Sequence, residues 1–329
     1  MNVLVLDHDQ VTVLLPIADC IPVMEQCLVA VADGSIHNPL RTIVRPPKAT
    51  GLLGLMPAHL SGSDPVFGVK SVCVFPGNPA IGKDAHQGAV LLFSGDTGEL
   101  LAMMNASAIT AIRTAAVSAV ATRALARPDS RVLAIIGAGI QARAHAAAIS
   151  EVLPIERIRV AGRDPHRLRR MVDDTAAVLS IPIDAVDSAE AAVRDADVVV
   201  TVTNSAKPVL DRSWLARGTH IDAVGSSIAT AREIDSATMA DARLFVDRRE
   251  STLNESGDYL MAVADNAIRG PDHIVAELGE VLAGRAEGRR SSDEITLFES
   301  LGLGAQDLFA ARHLLRVARE TGAGTWVVL

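Results

Sequence analysis

A glycine-rich turn is the first group of residues in this chain whose types and spacing could do chemistry. Residues 132–142 read VLAIIGAGIQA, so an apolar run leads directly into the glycines. Gly137 would permit a tight turn, Gly139 would let backbone N–H groups approach a pyrophosphate, and the small Ala142 would let a following helix pack on the strand. Because the positive end of that helix would face the phosphates, the pattern predicts a dinucleotide site. The turn residues that would contact the dinucleotide are Gly137, Ala138, Gly139, Ile140, Gln141 and Ala142.

The residues after the next predicted strand bear on which dinucleotide this site would bind. Residues 158–161 are followed by Gly162, Arg163 and Asp164. An acid at the end of this strand holds the ribose 2′-OH of NAD, whereas an arginine accommodates the 2′-phosphate of NADP. Gly162 stands where the acid would stand, and the guanidinium of Arg163 follows it. We therefore expect NADPH to be preferred over NADH, with Asp164 as the residue that could reverse this preference.

Three cationic residues stand in segments where a charge needs an explanation. Arg113 precedes the alanine-rich run TAAVSAV; a guanidinium at a predicted helix N-terminus opposes the helix dipole, so it could instead hold a substrate carboxylate or the pyrophosphate. Lys70 interrupts the apolar segment FGVKSVCV, where it either reaches water at a sheet edge or has a functional role, and the spacing leaves both open. Arg41, at the start of another predicted strand, could equally be a surface residue.

The elements that must position these residues change character near residue 115. Before it, short β-rich runs alternate with glycine and proline turns, which is typical of an α+β domain. These runs are residues 11–15, 42–44, 69–74 and 89–93. After it, a helix predicted over residues 113–126 precedes strands that alternate with helices, which predicts a parallel, doubly wound Rossmann sheet. Its strands are predicted at residues 132–136, 158–161, 197–203, 219–224 and 244–246.

The end of the chain is predicted to rejoin the first part. Residues 305–321 have the pattern of an amphipathic helix, and residues 326–329 that of a strand, which a β-rich domain could recruit. We therefore predict an α/β protein of two domains. An α+β domain takes residues 1–114 with 303–329, and a Rossmann dinucleotide-binding domain takes residues 115–302.

Composition restricts the class of protein. With 49% hydrophobic and 21% charged residues over 329 positions, the chain can bury a sizeable core in about two domains. A formal net charge of −8 and 3% aromatic residues argue against a nucleic-acid partner. The three cysteines, Cys20, Cys27 and Cys73, lack metal-ligand spacing and are typical of reduced thiols in the cytoplasm. We expect no signal peptide, no membrane span and no metal site.

Ten short motifs follow one another along almost the whole chain. They are PLRT at 39–42, GLMPA at 54–58, FGVK at 67–70, HQ at 86–87, ITAIRTAAVSA at 109–119, GAGIQA at 137–142, TVT at 201–203, AVGSS at 223–227, ESGD at 255–258 and ESLG at 299–302. In this order they resemble the ornithine cyclodeaminase and mu-crystallin family. The resemblance implies a homodimer whose N-terminal domain, joined by the C-terminal segment, binds the substrate and forms the subunit interface. It also implies that the Rossmann domain binds NAD(H) or NADP(H).

The resemblance further implies roles for individual residues. It places Arg41, Lys70 and Arg113 on the substrate carboxylate, which suits a small amino or imino acid because an anion in a partly desolvated pocket needs bidentate and point-charge partners. Glu255 would lie on the substrate side. Beside the glycine turn, the implied cofactor residues are His86, Arg113, Gly162, Arg163, Thr203, Val224 and Gly225.

One departure from the family pattern bears on the reaction. Ornithine cyclodeaminases of this family resemble AVGGD where this chain reads AVGSS, so Ser227 stands in place of the aspartate that acts in amine activation and ring closure. The pKa of a serine hydroxyl is too high for it to replace a carboxylate as a base at neutral pH without an activating partner. Serine at this position resembles the mu-crystallin and ketimine-reductase branch of the family.

Reduction of a cyclic imine asks for less than cyclodeamination, because the enzyme must only orient the carboxylate and the hydride donor and supply one proton. We therefore predict an NAD(P)H-dependent oxidoreductase that converts Δ1-pyrroline-2-carboxylate to L-proline, with Δ1-piperideine-2-carboxylate, giving L-pipecolate, as a second candidate substrate. Lys70 is the candidate for carboxylate orientation and proton relay, and Ser227 for a hydrogen bond near the imine. Three alternatives stay open: an ornithine cyclodeaminase, an alanine or other amino-acid dehydrogenase, and a mu-crystallin-like protein that binds a ligand in the presence of NADPH with little turnover.

Overall fold

The computed structural model describes residues 2–329. The chain divides into two compact units, one running to Arg113 and including Leu303–Leu329, the other formed by Thr114–Gly302. The boundaries predicted from the sequence were 114/115 and 302/303. Both units contain strands and helices, and the second has the parallel sheet that the predicted α/β class requires.

The strands and helices are numbered here in chain order over residues 2–329. The strands are β1 (Asn2–Leu6), β2 (Ile36–His37), β3 (Thr42–Val44), β4 (Leu52–Leu60), β5 (Val66–Val74), β6 (His86–Ser94), β7 (Leu100–Asn105), β8 (Val132–Ile136), β9 (Arg157–Ala161), β10 (Ile183–Ala185), β11 (Val198–Thr201), β12 (His220–Ala223), β13 (Arg243–Val246), β14 (Ile274–Glu277), β15 (Thr296–Glu299) and β16 (Thr325–Val328). The α-helices are α1 (His8–Leu14), α2 (Ile17–Ala32), α3 (Ala106–Leu125), α4 (Ile140–Val152), α5 (Pro165–Ala176), α6 (Ala189–Val193), α7 (Ser236–Asp241), α8 (Arg249–Glu255), α9 (Gly257–Ala264), α10 (Leu278–Leu282) and α11 (Gly304–Thr321).

The first unit is built on a sheet in the order β16-β1-β7-β6-β5-β4-β2, with β3 paired to β4. Strands β4 to β7 form an antiparallel meander, β1 runs parallel to β7, and β16 pairs antiparallel with β1. The C-terminal strand is thus recruited into the first sheet, as predicted. Helix α11 packs on one face, and it approaches so closely that a Cβ on Gly68 would lie 3.0 Å from the Cβ of Leu308. Residues that alternate along the strands therefore point either under this helix or away from it.

The prediction of a β-rich run at residues 11–15 is wrong, because these residues belong mainly to helix α1. Asp7 caps the helix by accepting the N–H of Gln10, and the side chain of Gln10 accepts the N–H of Asp7 in return. This capping box starts the helix at this point, although Val11, Thr12 and Val13 favour a strand. Burial then follows helical spacing: Val11 and Leu15 are buried, whereas Val13 is 76% exposed.

The second unit is a doubly wound parallel sheet in the order β10-β9-β8-β11-β12-β15-β13-β14. Its central strands β8 and β11 are apolar runs, and these two strands and β12 are buried almost throughout, as expected for strands covered on both faces. The chain order reverses beside β8, whose neighbours are β9 on one side and β11 on the other. Ligands of such sheets bind at the carboxyl ends of the strands at this reversal, so the topology confirms the predicted Rossmann-type sheet and places the glycine turn at its ligand-binding edge.

Helix α3 begins seven residues earlier than predicted. The predicted start was Arg113, but β7 passes directly into a helix at Ala106, and Asn105 accepts the N–H of Ala108 at 2.9 Å as an N-cap does. Arg113 is therefore an interior helical residue, and the argument from the helix dipole was wrong. By length and composition α3 could cross a membrane, but 72% of its apolar window is buried within the protein, which is typical of a core helix.

Candidate active site

The glycine turn after β8 has the geometry of a phosphate cradle. Gly137 has φ 134°, and a Cβ on it would lie 2.6 Å from the carbonyl oxygen of Val202, so the turn requires glycine. A Cβ on Gly139 would meet no atom within 4 Å, which means that this side of the turn faces open space. Gly139 is also the N-cap of α4, and it caps the helix without a side-chain hydrogen bond. The N-terminal N–H groups of α4 therefore face a space that an anion can enter, and these residues fit a pyrophosphate.

The turn after β9 is exposed and carries positive charge. Arg163 donates to the side-chain oxygen of Asn204 at 3.1 Å. The carboxylate of Asp164 is the N-cap of α5 and accepts the N–H groups of His166 and Arg167. Hydrogen bonding from the Arg167 N–H is the largest influence that lowers the pKa of Asp164. The acid that could have favoured NAD is thus engaged in capping a helix, while Gly162 at the strand end carries no side chain.

In the first unit, two predicted cations share one buried carboxylate. Lys70 lies on the face of β5 that α11 covers and is only 3% exposed, so the interpretation as a residue reaching water at a sheet edge is wrong. Its Nζ lies 2.8 Å from Oδ2 of Asp307, and Nε of Arg113 lies 3.2 Å from Oδ1 of the same residue. Arg113 also donates to Oε1 of Gln306 at 2.5 Å. Buried charges are retained in proteins when they are paired in this way.

The electrostatics of this cluster favour binding an anion. Burial, together with the charges of Arg113 and Arg41, lowers the pKa of Lys70 to about 8, although Asp307 acts in the opposite direction. Arg41, which is half-buried, is therefore within electrostatic reach of Lys70. Loss of hydration and the charges of Lys70 and Arg113 also hold the pKa of His86 below its usual value. Lys70 and Arg113 share the single carboxylate of Asp307, which leaves a positive charge that a substrate carboxylate would balance.

Comparison with known proteins agrees with this arrangement. The profile of the ornithine cyclodeaminase/mu-crystallin family matches residues 1–322 of the chain. The chain belongs to this family. It is 39% identical to the mouse ketimine reductase mu-crystallin over 280 residues, which is 85% of each protein.

Two solved structures superpose on nearly the whole chain. The Δ1-pyrroline-2-carboxylate reductase of Thermococcus litoralis, in complex with NADH and L-proline, superposes with a TM-score of 0.95 at 37% identity, covering 98% of this chain and 100% of that one. An archaeal alanine dehydrogenase, a dimer with bound NAD, superposes with a TM-score of 0.93 at 32% identity and covers both chains fully.

In this family member, the two serines that follow Gly225 have different surroundings. Ser226 is buried; its hydroxyl donates to the carbonyl oxygen of Ala231 and accepts the N–H of Asp258, which is a structural role. Ser227 is half-buried and makes no hydrogen bond within residues 2–329. Its hydroxyl is therefore available to a ligand. Glu255, the last residue of α8, is half-buried in the same unit, and its role toward a substrate stays a prediction.

Sequence reasoning missed three polar residues that organise these sites. Asp307 and Gln306 are buried in the first turn of α11, and Asp307 lies on the same buried face as Ala310, Ala311, Leu314 and Leu315. A pair of polar residues on the apolar face of an amphipathic helix was the signal that could have revealed them. Glu233 is fully buried and accepts the N–H groups of Thr203 and Gly225, two predicted cofactor residues, but its local sequence AREID carries no comparable signal. Over residues 2–329, no group of three His, Cys, Asp or Glu residues is placed to hold a metal ion.

Proposed function

We propose that this protein is an NAD(P)H-dependent reductase of cyclic imino acids, converting Δ1-pyrroline-2-carboxylate to L-proline and accepting Δ1-piperideine-2-carboxylate as a second substrate. The observation that carries the proposal is the buried cluster in which Lys70 and Arg113 share Asp307. It supplies both a positive excess for a carboxylate and an ammonium group whose pKa is near neutral. The similarity to the T. litoralis reductase of the same substrate supports it independently.

Carboxylate binding is assigned to the three cations of the first unit. The guanidinium groups of Arg41 and Arg113 can each donate two parallel hydrogen bonds to a carboxylate, whereas the ammonium of Lys70 acts as a point charge. Asp307 holds Lys70 and Arg113 in place before substrate arrives, so little side-chain entropy would be lost on binding. Glu255 is assigned to the substrate side of the second unit.

The reaction adds a hydride to the C=N carbon and a proton to the imine nitrogen. A bound nicotinamide dinucleotide in its reduced form supplies the hydride. Lys70, with a pKa of about 8, is largely protonated at neutral pH and is a suitable general acid for the nitrogen. After the transfer, Lys70 would recover its proton from solvent. If the imine arrives already protonated, Lys70 only orients the carboxylate, and the hydroxyl of Ser227 offers a hydrogen bond near the nitrogen.

The cofactor proposed for the glycine turn is NADPH in preference to NADH. The support is local: Gly162 replaces the acid at the end of β9, Arg163 is exposed beside it, and the carboxylate of Asp164 is engaged as a helix cap. A guanidinium is well suited to a 2′-phosphate. The T. litoralis reductase was solved with NADH, so relative use of the two cofactors must be measured for this chain.

We also propose a cytoplasmic homodimer formed through the first unit. The sheet face opposite α11 presents apolar side chains in register across five strands. They are Val5, Met103, Leu91, Val69 and Pro57. Met103 is 42% exposed, and Phe67 on the same face is 49% exposed. A second copy of the chain is the proposed occupant, since a face of this kind usually marks an interface and the related alanine dehydrogenase is a dimer. The free thiols of Cys20 and Cys27 support the proposed cytoplasmic location, because thiols are kept reduced in the cytoplasm.

The test is oxidation of NADPH and of NADH, followed with three substrates: pyrroline-2-carboxylate, piperideine-2-carboxylate, and pyruvate with ammonia. We expect the two cyclic imines to be reduced and pyruvate with ammonia to be inactive. Activity with pyruvate that depends on ammonia would instead support an alanine dehydrogenase, which the similarity to the archaeal enzyme makes the second candidate. Ammonia release from ornithine with catalytic NAD would indicate a cyclodeaminase. Ligand binding without oxidation of either cofactor would indicate a binding protein.

A further inference from the structure

Glu233 is a fully buried acid whose two carboxylate oxygens bind two different loops. Oε1 accepts the N–H of Thr203 at 2.5 Å, just beyond the end of β11. Oε2 accepts the N–H of Gly225 at 2.6 Å, just beyond the end of β12. One side chain therefore holds together the loops that follow two neighbouring parallel strands.

The carboxylate of Glu233 packs closely against the backbone at Gly225, which leaves no space for a side chain at that position. A Cβ on Gly225 would lie 2.1 Å from the carbonyl oxygen of Thr203 and 2.6 Å from Oε1 of Glu233. Glycine at position 225 is thus required by the close approach of the Thr203 carbonyl and of the Glu233 carboxylate. Burial raises the pKa of Glu233 to about 7, against the hydrogen bonds that favour its charged form.

A second buried acid fixes Glu233 itself. Asp258, in the first turn of α9, accepts the backbone N–H groups of Glu233 and Ile234 at 2.8 and 2.9 Å. The N–H of Asp258 in turn donates to the hydroxyl of Ser226. The loop containing the serine pair and the loop containing Glu233 are therefore held by one network of hydrogen bonds.

The order of the strands shows which end of a dinucleotide these loops would contact. The turn with Arg163 follows β9, the glycine turn follows β8, and the loops held by Glu233 follow β11 and β12, which is the spatial order of the strands in the sheet. If the 2′-phosphate end lies over β9 and the pyrophosphate over β8, the nicotinamide end lies over β11 and β12. We propose that Glu233 is a positioning residue that holds the Thr203 and Gly225 loops in the form that binds the nicotinamide half of the cofactor. This inference rests on the proposed use of a nicotinamide dinucleotide.

The test compares binding of the whole cofactor with binding of a fragment that lacks the nicotinamide half. Glu233→Gln keeps the size of the side chain but leaves one acceptor oxygen for two N–H donors, so one donor loses its partner. We expect the Kd for NADPH to rise about tenfold or more, the scale of one unsatisfied buried polar group. The Kd for 2′,5′-ADP, which lacks the nicotinamide half, should change less than about twofold. The matched control is Glu280→Gln, because Glu280 accepts the N–H of Glu277 at 2.8 Å elsewhere in the same unit; both affinities should stay at the wild-type values.

Two results would overturn the proposal. Equal weakening of NADPH and 2′,5′-ADP would show that Glu233 only supports the fold of the unit, and unchanged binding of both would show that it has no role in the site. If Glu233→Gln fails to fold, Glu233→Asp, which keeps both oxygens on a side chain one methylene shorter, is measured with the same two ligands and judged in the same way. These measurements need no imine, so a wild-type protein that binds NADPH but reduces no imine would refute the proposed substrate while leaving this test intact.

Discussion

Replacing Asp307 by asparagine tests the electrostatic arrangement on which the proposed proton transfer depends. Asp307 is buried 2.8 Å from the ammonium of Lys70. At an effective dielectric constant of about 20, the attraction between unit charges at that distance is about 6 kcal/mol. One pKa unit corresponds to about 1.4 kcal/mol, so the loss of even a third of this attraction would shift the pKa of Lys70 by more than about one unit. Because Arg113 and Arg41 remain and repel Lys70, its pKa should fall below the present value of about 8.

The assay is the pH dependence of kcat/KM for Δ1-pyrroline-2-carboxylate with saturating NADPH. In the wild type, activity that requires protonated Lys70 is present at low pH and is lost as the pH rises through about 8. In Asp307→Asn, this loss should occur at least about one pH unit lower, because the protonated form has lost its anionic partner. Rates near pH 6 should be affected much less than rates near pH 8.

The matched control for this experiment is Asp64→Asn. Asp64 is an exposed carboxylate that pairs with Arg312 of α11 at 3.0 Å, so the control removes a charge beside the same helix outside the cluster. An exposed ion pair contributes at most about 1 kcal/mol, and the control should keep the wild-type pH profile. Thermal unfolding checks that both variants are folded at the assay temperature. An Asp307→Asn variant that is folded but loses activity at the wild-type pH would refute the assignment of the proton donor to Lys70.

Four further predictions follow from the same geometry. Lys70→Met should lower kcat/KM for the imine by about 10²–10⁴-fold while NADPH still binds, and unchanged turnover would remove Lys70 from the mechanism. Gly139→Val should leave the unfolding temperature nearly unchanged, because its Cβ would meet open space, yet should weaken NADPH in a fluorescence titration; tight binding would contradict the phosphate cradle. Arg163→Ala should reduce the ratio of NADPH to NADH kcat/KM by about tenfold, the scale of one charge-assisted hydrogen bond, and an unchanged ratio would place the selectivity elsewhere. Met103→Asp should yield a monomer by light scattering, and a wild-type dimer mass would exclude the proposed sheet face.

Five of the eight strands in the sheet of the second unit could be predicted from sequence because their signals are local, whereas β10, β14 and β15 were missed. Strands β8 and β11 are short apolar runs, and β8 passes through a glycine turn into α4, so the local pattern indicates these elements directly. The start of helix α3 was predicted seven residues too far along the chain, because β7 passes into it without a loop and no glycine or proline marks the change. Helix α1 was assigned to a strand because Val11, Thr12 and Val13 favour strands, while the capping box that overrides them precedes the run. The parallel pairing of β1 with β7 joins distant segments and has no local signal.

The candidate site was less predictable than the fold, since its decisive partners are distant in the chain. The local sequence of Lys70 allowed an exposed edge or a buried functional role, and the choice depended on a helix at the other end of the chain. Asp307 stands 194 positions after Arg113, so no spacing rule relates them. Glu233 likewise bonds to loops on two other strands. Charged residues that act through tertiary contacts become visible only when the chain is folded.

The most direct test of the proposed function is transfer of deuterium from NADPH that carries deuterium at both C4 positions of the nicotinamide to Δ1-pyrroline-2-carboxylate, followed by mass spectrometry of the product. The proposed reaction predicts L-proline that carries one deuterium on Cα, formed in proportion to the NADPH consumed. NADPH oxidation without labelled proline, or no consumption of NADPH with this imine, would contradict the account.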